Sequence, residues 1–303
     1  ALVQVFRHFP EHKQAPCALA IGNFDGMHLG HQALLRSMTA SAQSQNLQSA
    51  VLTFEPHPRE FFAAHTAPAR LSSLREKLEH FAEAGVAQCY VCRFNTAFAK
   101  ISAAQFMQGI LRDSLNAKSI LVGDDFRFGA QRVGSVADFI AAKFDLQTLP
   151  QVDLSGHRVS STRVRQALAS GDLHEAGLLL GRPYSISGKV VHGAKRGRQL
   201  GFPTANVHMR HERPALTGVY AVKLDGLPAV ANLGVRPTIA GVAKLLLEVH
   251  VLDFAGDLYG KHVHVAFLHK IRDEMKFSGL PALQAQIEKD VAVAKELFEI
   301  RHD

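Results

Sequence analysis

Cysteine is scarce in this chain. Three residues of 303, Cys17, Cys89 and Cys92, are an odd number and too few for a disulfide framework, which favours a reducing compartment. Long apolar runs are absent: no stretch approaches the length of a membrane span, and the N-terminus lacks a charged-then-apolar signal pattern. The expectation is a cytoplasmic protein without a membrane partner. No block of like charge is long enough to serve as a nucleic-acid tail. Two nucleotide-binding signatures are missing as well. Neither Gly-x-Gly-x-x-Gly nor Gly-x-x-x-x-Gly-Lys-[Ser/Thr] occurs, which argues against a standard dinucleotide fold and against a P-loop kinase.

What the chain does have is excess positive charge, formally +7, and a hydrophobic fraction of 47%, enough to bury a core. The charge favours anionic partners, and small phosphorylated ligands satisfy it without nucleic acid. The length suits one large domain or two ordinary ones. Cys89-Tyr90-Val91-Cys92 matches Cys-x-x-Cys but lies in an apolar run that reads as a buried strand. Positions three apart on a strand face opposite sides, so two core thiols are expected rather than a chelating or redox pair.

The most informative stretch runs Gly22-Asn23-Phe24-Asp25-Gly26-Met27-His28-Leu29-Gly30-His31. An apolar run, Cys17 to Ile21, precedes it and reads as a buried strand. A helical pattern through Leu34, Leu35 and Met38 follows it. Glycines let backbone N–H groups approach a ligand, and a helix start adds unpaired donors and partial positive charge. Strand, glycine loop and helix start together make a phosphate site. His-x-Gly-His after a first strand resembles the nucleotidyltransferase superfamily, and the longer Gly-Asn-Phe-Asp-Gly-x-His-x-Gly-His-Gln run resembles its FAD synthetase branch. The resemblance implies that His28 and His31 stabilise charge on an ATP α-phosphate.

Apolar runs and helical patterns alternate to about residue 180, with strands near 49–54, 87–94 and 119–122 and helices near 73–84, 103–111 and 135–143. This predicts a mostly parallel sheet with helices on both faces and ligands at the carboxyl ends of its strands. Thr53-Phe54-Glu55-Pro56-His57-Pro58 closes the second of these strands. Its residues read equally as a rigid strand exit or a ligand wall. Phe61 and Phe62, which follow, suit flavin contact or core packing equally. The run resembles an FAD synthetase motif that lines the flavin side of the site, which brings in Pro56, His57, Pro58 and Phe62.

Gly123-Asp124-Asp125-Phe126-Arg127-Phe128-Gly129 ends a buried run in two carboxylates, residue types that hold Mg²⁺ or a ribose at strand ends. It resembles a further FAD synthetase motif, in which relatives often carry Asn at the metal-side position that is Asp125 here. Arg158-Val159-Ser160-Ser161-Thr162-Arg163-Val164-Arg165 carries a helix-capping signature before an apolar-periodic run. It resembles the second phosphate-binding motif of the superfamily. That resemblance implies phosphate contacts from Arg158, Ser160, Ser161 and Thr162, with Arg165 in the first turn directed at the β and γ phosphates.

After Pro183 the pattern changes to short strands of period two with glycine turns. Domains are therefore expected at 1–183 and 184–303. Residues 188–206 hold Gly188, Gly193, Gly197 and Gly201 with Lys189, Lys195, Arg196 and Arg198, a composition for an anion-binding flap. Pro203-Thr204-Ala205-Asn206 resembles the signature of riboflavin kinases, in which the Thr and Asn help hold Mg²⁺ and ATP phosphates. Asp225-Gly226 marks a hairpin. Leu245–Leu252 alternates, with Glu248 and His250 on its polar face. Leu-Glu-Val-His-Val-Leu-Asp-Phe resembles the kinase segment whose Glu is the catalytic base, a role that falls on Glu248; His250 reads as a strand-surface neighbour. Arg272, Asp273, Glu274 and Phe277 resemble a loop closing over flavin. Residues 281–300 form an amphipathic helix with Leu283, Ile287, Val291, Ala294 and Leu297 or Phe298 on its apolar side.

The chain thus resembles the fused bacterial riboflavin kinase/FAD synthetase family. The implied fold is a Rossmann-like α/β nucleotidyltransferase domain followed by a small antiparallel β-barrel with a terminal helix. The implied substrates are riboflavin, FMN and ATP with Mg²⁺; neither a nucleic-acid partner nor self-association is predicted. An aminoacyl-tRNA synthetase-like protein, a flavin- or nucleic-acid-binding module without catalysis, and a single-function adenylyltransferase are the alternatives, and the last leaves Pro-Thr-Ala-Asn unexplained.

Overall fold

A computed structural model describes residues 2–63, 65–124, 126–192, 201–211, 213–237 and 243–300. The chain divides into two compact units, Ala1–Pro68 with Leu74–Ser160, and Ala69–Ser73 with Ser161–Asp303. This division falls ahead of the change of pattern at Pro183.

The first unit carries strands β1 (Gln4–Phe6), β2 (Cys17–Ile21), β3 (Gln48–Glu55), β4 (Gln88–Arg93) and β5 (Ala117–Gly123). Further strands are β6 (Arg127–Phe128), β7 (Gly134–Ser135), β8 (Asp145–Leu149), β9 (Asp153–Leu154) and β10 (His157–Arg158). Its helices are α1 (Leu29–Gln45), α2 (Pro58–Phe62), α3 (Leu74–Glu83), α4 (Thr96–Ala99), α5 (Ala103–Gln105) and α6 (Val136–Ala141). Six strands form one sheet in the order β1-β4-β3-β2-β5-β8, all pairs parallel. β2 lies between β3 and β5, so the winding reverses there, and the crevice beyond its carboxyl end is the usual ligand position of such sheets.

Strand alternation separates two apolar layers. Leu19, Ile21, Leu52, Tyr90, Cys92, Ile120 and Val122 face Phe106, Leu111 and Phe139. Ala18, Ala20, Val51, Cys89, Val91 and Leu121 face Leu34, Leu35 and Met38 of α1 and Phe81 of α3. β2 is buried at all five residues, as a central parallel strand requires. Cys89 and Cys92 lie in opposite layers, as the alternation predicts. The expected helix at 103–111 is instead three α-helical residues continuing into a π-helical segment, Phe106–Ser114. β1 and β8 were not legible. Both edge strands are partly exposed and carry polar residues, so neither shows an apolar run.

The second unit begins with helices α7 (Ser161–Ala169) and α8 (Leu173–Leu180). Strands β11 (Ser185–Val191), β12 (Ala205–Val207), β13 (Gly218–Leu224), β14 (Leu227–Pro237), β15 (Ala243–Val251) and β16 (His262–Arg272) follow, then helix α9 (Leu280–Ile300). The six strands close an antiparallel barrel in the order β11-β12-β15-β14-β13-β16, and closure removes unpaired sheet edges. Asp225 and Gly226 take positive φ of 47° and 86°, the two-residue turn that matches strand twist. The Tyr184 hydroxyl donates to the Leu71 carbonyl at 2.8 Å, holding the 69–73 segment within this unit. α9 lays Ala294 and Phe298 on Ala221, with Val230, Leu252, Leu268 and Ile271 around them. Its apolar side also carries buried Asp290, whose carboxylate accepts from Arg272 Nε at 3.0 Å and Nη2 at 2.9 Å.

Burial pushes the thiols of Cys17, Cys89 and Cys92 up to about 12, so they stay protonated at neutral pH. Native protein at pH 8 should resist iodoacetamide at all three positions, and all three should react in denaturant; mass spectrometry checks this. Asp290→Ala leaves a largely buried guanidinium unpaired and should destabilise the barrel unit by about 3 kcal/mol in urea titration. Replacing Arg272 by Met together with Asp290→Leu should recover most of that loss.

Candidate active sites

The first site grows from the end of β2. Gly22 N–H donates to the Leu52 carbonyl at 3.1 Å, which extends the sheet by one bond before the chain leaves it. Phe24, Gly26 and Met27 then take positive φ of 55°, 90° and 47°, a turn that aims the chain into α1. His28 is the N-cap of α1: its Nδ1 accepts from the backbone N–H of Gly30 at 3.0 Å and of His31 at 3.3 Å. His31 returns the contact, its Nδ1 accepting from His28 N–H at 3.3 Å. The two rings stack at 3.6 Å between centroids with an interplanar angle of 16°. An imidazole nitrogen that accepts a backbone N–H carries no proton, so in both neutral rings the proton sits on Nε2. The pair therefore presents two N–H donors at a positive helix end.

The remaining loop residues divide by burial. Phe24, expected at the ligand, is a core ring packed on Phe81 at 5.2 Å; it backs His31 at 5.5 Å instead. Asp25 is buried. Asn23 Oδ1 is buried and has no hydrogen-bond partner among the described residues. A residue that sequence reasoning missed lies beneath the loop. Lys77 is only 1% exposed, and its Nζ reaches the Asn23 carbonyl at 3.1 Å, Thr53 Oγ1 at 3.3 Å and Glu55 Oε1 at 2.9 Å. It ties the glycine loop to the end of β3. Its signal was a Lys on the apolar stripe of α3, three residues after Leu74 and four before Phe81.

At the end of β3 the Pro56–His57–Pro58 run is not a stiff loop alone. The Glu55–Pro56 peptide is cis, and His57 caps the short helix α2, with Pro58 in its first turn. His57 Nδ1 accepts from Arg59 N–H at 3.1 Å, and Glu60 returns a bond to His57 N–H at 2.8 Å. The missing N–H of Pro58 costs nothing at a helix start. Phe62 is 64% exposed, at the rim of a cluster with Phe61, Phe94 and Phe98. Asp124 is exposed at the end of β5, and Asp125 lies outside the described residues. Arg158 and Thr162 are exposed, and Ser160 and Ser161 half-buried. Helix α7 starts at Ser161, which places Arg165 in the second turn rather than the first. Arg165 Nε donates to the Ala69 carbonyl at 2.5 Å within the second unit.

The second site is a row across the barrel wall. β12, β15 and β14 bring Asn206, Glu248 and Asn232 into register as direct neighbours. Glu248 is half-buried. Asn206 is 5% exposed, and its Oδ1 is buried with no hydrogen-bond partner among the described residues; the same holds for Asn232 Oδ1. An unpartnered buried oxygen costs about 1–3 kcal/mol. A hard oxygen donor beside a carboxylate, with Thr204 just ahead of β12, fits Mg²⁺. Pro203 O lies 2.9 Å from His250 Nδ1, so His250 braces the Pro-Thr-Ala-Asn segment. Gly201 takes φ of 80°. Gly188 touches the neighbouring strand so closely that a Cβ would lie 1.9 Å from the His208 carbonyl oxygen. Lys189 is exposed, and Gly193, Lys195 and Gly197 lie outside the described residues. Arg272, expected at the ligand, is paired with the buried carboxylate of Asp290 of α9. Glu274 lies over Gly234, where a Cβ would sit 1.8 Å from its Oε1. Asn232 escaped the sequence reading because it is one polar residue in an apolar strand with no motif around it.

Residues 10–163 match the FAD synthetase family and residues 180–298 the riboflavin kinase family. The bifunctional riboflavin kinase/FMN adenylyltransferase of Escherichia coli K12 is 46% identical, covering 98% of this chain and 97% of that protein. The protein of the same name from Pseudomonas fluorescens is 48% identical over 95% of this chain and 94% of its own length. A solved structure from Streptococcus pneumoniae, named as a macrolide-efflux protein, superposes with a TM-score of 0.79 at 31% identity, covering 97% of this chain and 99% of its own. Among the described residues here, no helix is long and apolar enough to cross a membrane. With both family matches in order along one chain and near-complete coverage of its relatives, the chain belongs to the bifunctional riboflavin kinase/FMN adenylyltransferase family.

Proposed function

We propose that this chain performs two successive ATP-dependent transfers, phosphorylating riboflavin to FMN and then adenylylating FMN to FAD with release of pyrophosphate. One observation carries the reading: the stacked His28–His31 pair at a helix start in one unit, with a separate Asn206–Glu248 row in the other. We assign adenylyl transfer to residues 1–183 and the kinase to 184–303.

In adenylyl transfer a phosphate oxygen of FMN attacks the α-phosphorus of ATP, and pyrophosphate leaves. The Nε2–H groups of His28 and His31 would donate to the α-phosphate oxygens as charge builds there, preorganised by the capping bonds. By their motifs, Arg158, Ser160, Ser161, Thr162 and Arg165 would hold the outer phosphates, and Asp125 a metal. Phe62 and the Pro56–Pro58 segment would meet the flavin. In the kinase, Glu248 would take the proton from the riboflavin 5′-hydroxyl as its oxygen attacks the γ-phosphorus and ADP leaves, a contribution of roughly 10²–10⁴-fold. Thr204 and Asn206 would hold Mg²⁺, which when bound supplies neutralisation of phosphate charge. Glycines 188, 193, 197 and 201 with Lys189 and Lys195 would cover the phosphates. Neither step needs a covalent enzyme intermediate. Three unbridged thiols support a reducing, cytoplasmic setting.

A chromatographic time course with riboflavin, ATP and Mg²⁺ should show FMN rising first and FAD following; formation of neither would sink the reading. His28→Ala should stop FAD formation while FMN still accumulates. Glu248→Ala should stop FMN formation while supplied FMN is still adenylylated. Loss of both activities in either folded variant would contradict two separate sites. Lys77→Met releases the glycine loop from β3 and should slow adenylyl transfer roughly 10- to 100-fold, with riboflavin phosphorylation as the internal control.

A further inference from the structure

Asn232 has no place in the motifs read from the sequence, yet it stands directly beside the proposed base. Asn206, Glu248 and Asn232 form one row on adjacent strands β12, β15 and β14, where neighbouring strands are about 4.8 Å apart. Both flanking amides present a buried Oδ1 with no hydrogen-bond partner among the described residues. Asn206 belongs with Thr204 on the phosphate side. Phosphoryl transfer places attacking and leaving oxygens on opposite sides of the phosphorus. The side of Glu248 away from Asn206 is therefore the side from which the alcohol arrives, and Asn232 occupies it.

The surroundings agree. Residues two apart on a strand share a face. One step from Asn232 in one direction is Val230, covered by Ala294 and Phe298 of α9. One step in the other is Gly234, which lacks a side chain and is overlain by Glu274. The face around Asn232 is thus bounded by the terminal helix on one side and by the Glu274 carboxylate on the other.

We propose that Asn232 is a specificity-determining residue of the kinase site. Its amide would bond the hydroxyl next to the reacting one on the polyol chain, the 4′-hydroxyl of riboflavin when the 5′-hydroxyl attacks. A hydroxyl can both donate and accept, so it satisfies the buried end of the amide. Binding the second hydroxyl fixes the rotation of the terminal carbon and so the direction of the attacking oxygen. The proposal rests on the kinase reading above, with Glu248 as base.

The test compares riboflavin with 4′-deoxyriboflavin on the full-length protein. The unaltered protein should phosphorylate the deoxy compound with kcat/KM lowered roughly tenfold or more, the loss of a hydrogen bond plus an unpaired buried partner. Asn232→Ala should lower kcat/KM for riboflavin by a similar factor with KM for ATP unchanged, and should treat the two flavins alike. Equal rates for the two flavins in the unaltered protein would overturn the proposal without any variant. So would a deoxy penalty that survives in folded Asn232→Ala. Glu248→Ala, run alongside, separates the failures: if it still phosphorylates riboflavin, the kinase reading itself falls.

Discussion

The capping bonds of His28 hold the first site together. One imidazole nitrogen accepts the two leading backbone N–H groups of α1, and that single act does three things. It caps the helix start, it leaves Nε2 as the nitrogen that carries the proton of the neutral ring, and it fixes the ring against the first turn. The same side chain is thus both a structural cap and a ready donor. His31 completes the arrangement from one turn further on, and the sheet supplies the rest by ending β2, β3 and β5 on one side. Lys77 prevents the glycine loop from drifting by binding it to β3 through Asn23, Thr53 and Glu55.

The barrel solves a different problem. Here a carboxylate stands between two buried amide oxygens at fixed spacing. Strand register provides this without any loop. Once β12, β15 and β14 pair, Asn206, Glu248 and Asn232 can only stand side by side. The desolvation cost of the two unpartnered amide oxygens is borne by a closed sheet with a packed interior and a helix on its outer face.

Much of this was legible in the residues. β2 has the expected bounds, since an unbroken apolar run has few alternatives. The His pair, Asn206 and Glu248 could be singled out because strong local patterns surround them, and the fold sets His28 against His31 and Asn206 beside Glu248. Failures share a cause: they depend on partners distant in sequence. Lys77 carried no local pattern that marked it, since its partners Glu55 and Asn23 lie more than twenty residues away. The pairing of Arg272 with Asp290 could not be read from the sequence, because the two lie on different elements. Phe24 groups by sequence with the glycine loop at the ligand, yet its ring is buried against Phe81. β1 and β8 are defined by the neighbour they pair with rather than by their own composition.

Gly188 has a consequence beyond its own position. β11 and the chain leaving β12 run so close there that no side chain fits between them. That clearance sets how deeply β12 seats in the barrel, and β12 carries Asn206. A methyl group at 188 would act as a wedge, lifting the strand and shifting its amide oxygen out of line with Glu248. The alignment of Asn206 with Glu248 is therefore set partly by a residue with no functional group, so one added carbon there would matter more than many changes of charge on the surface.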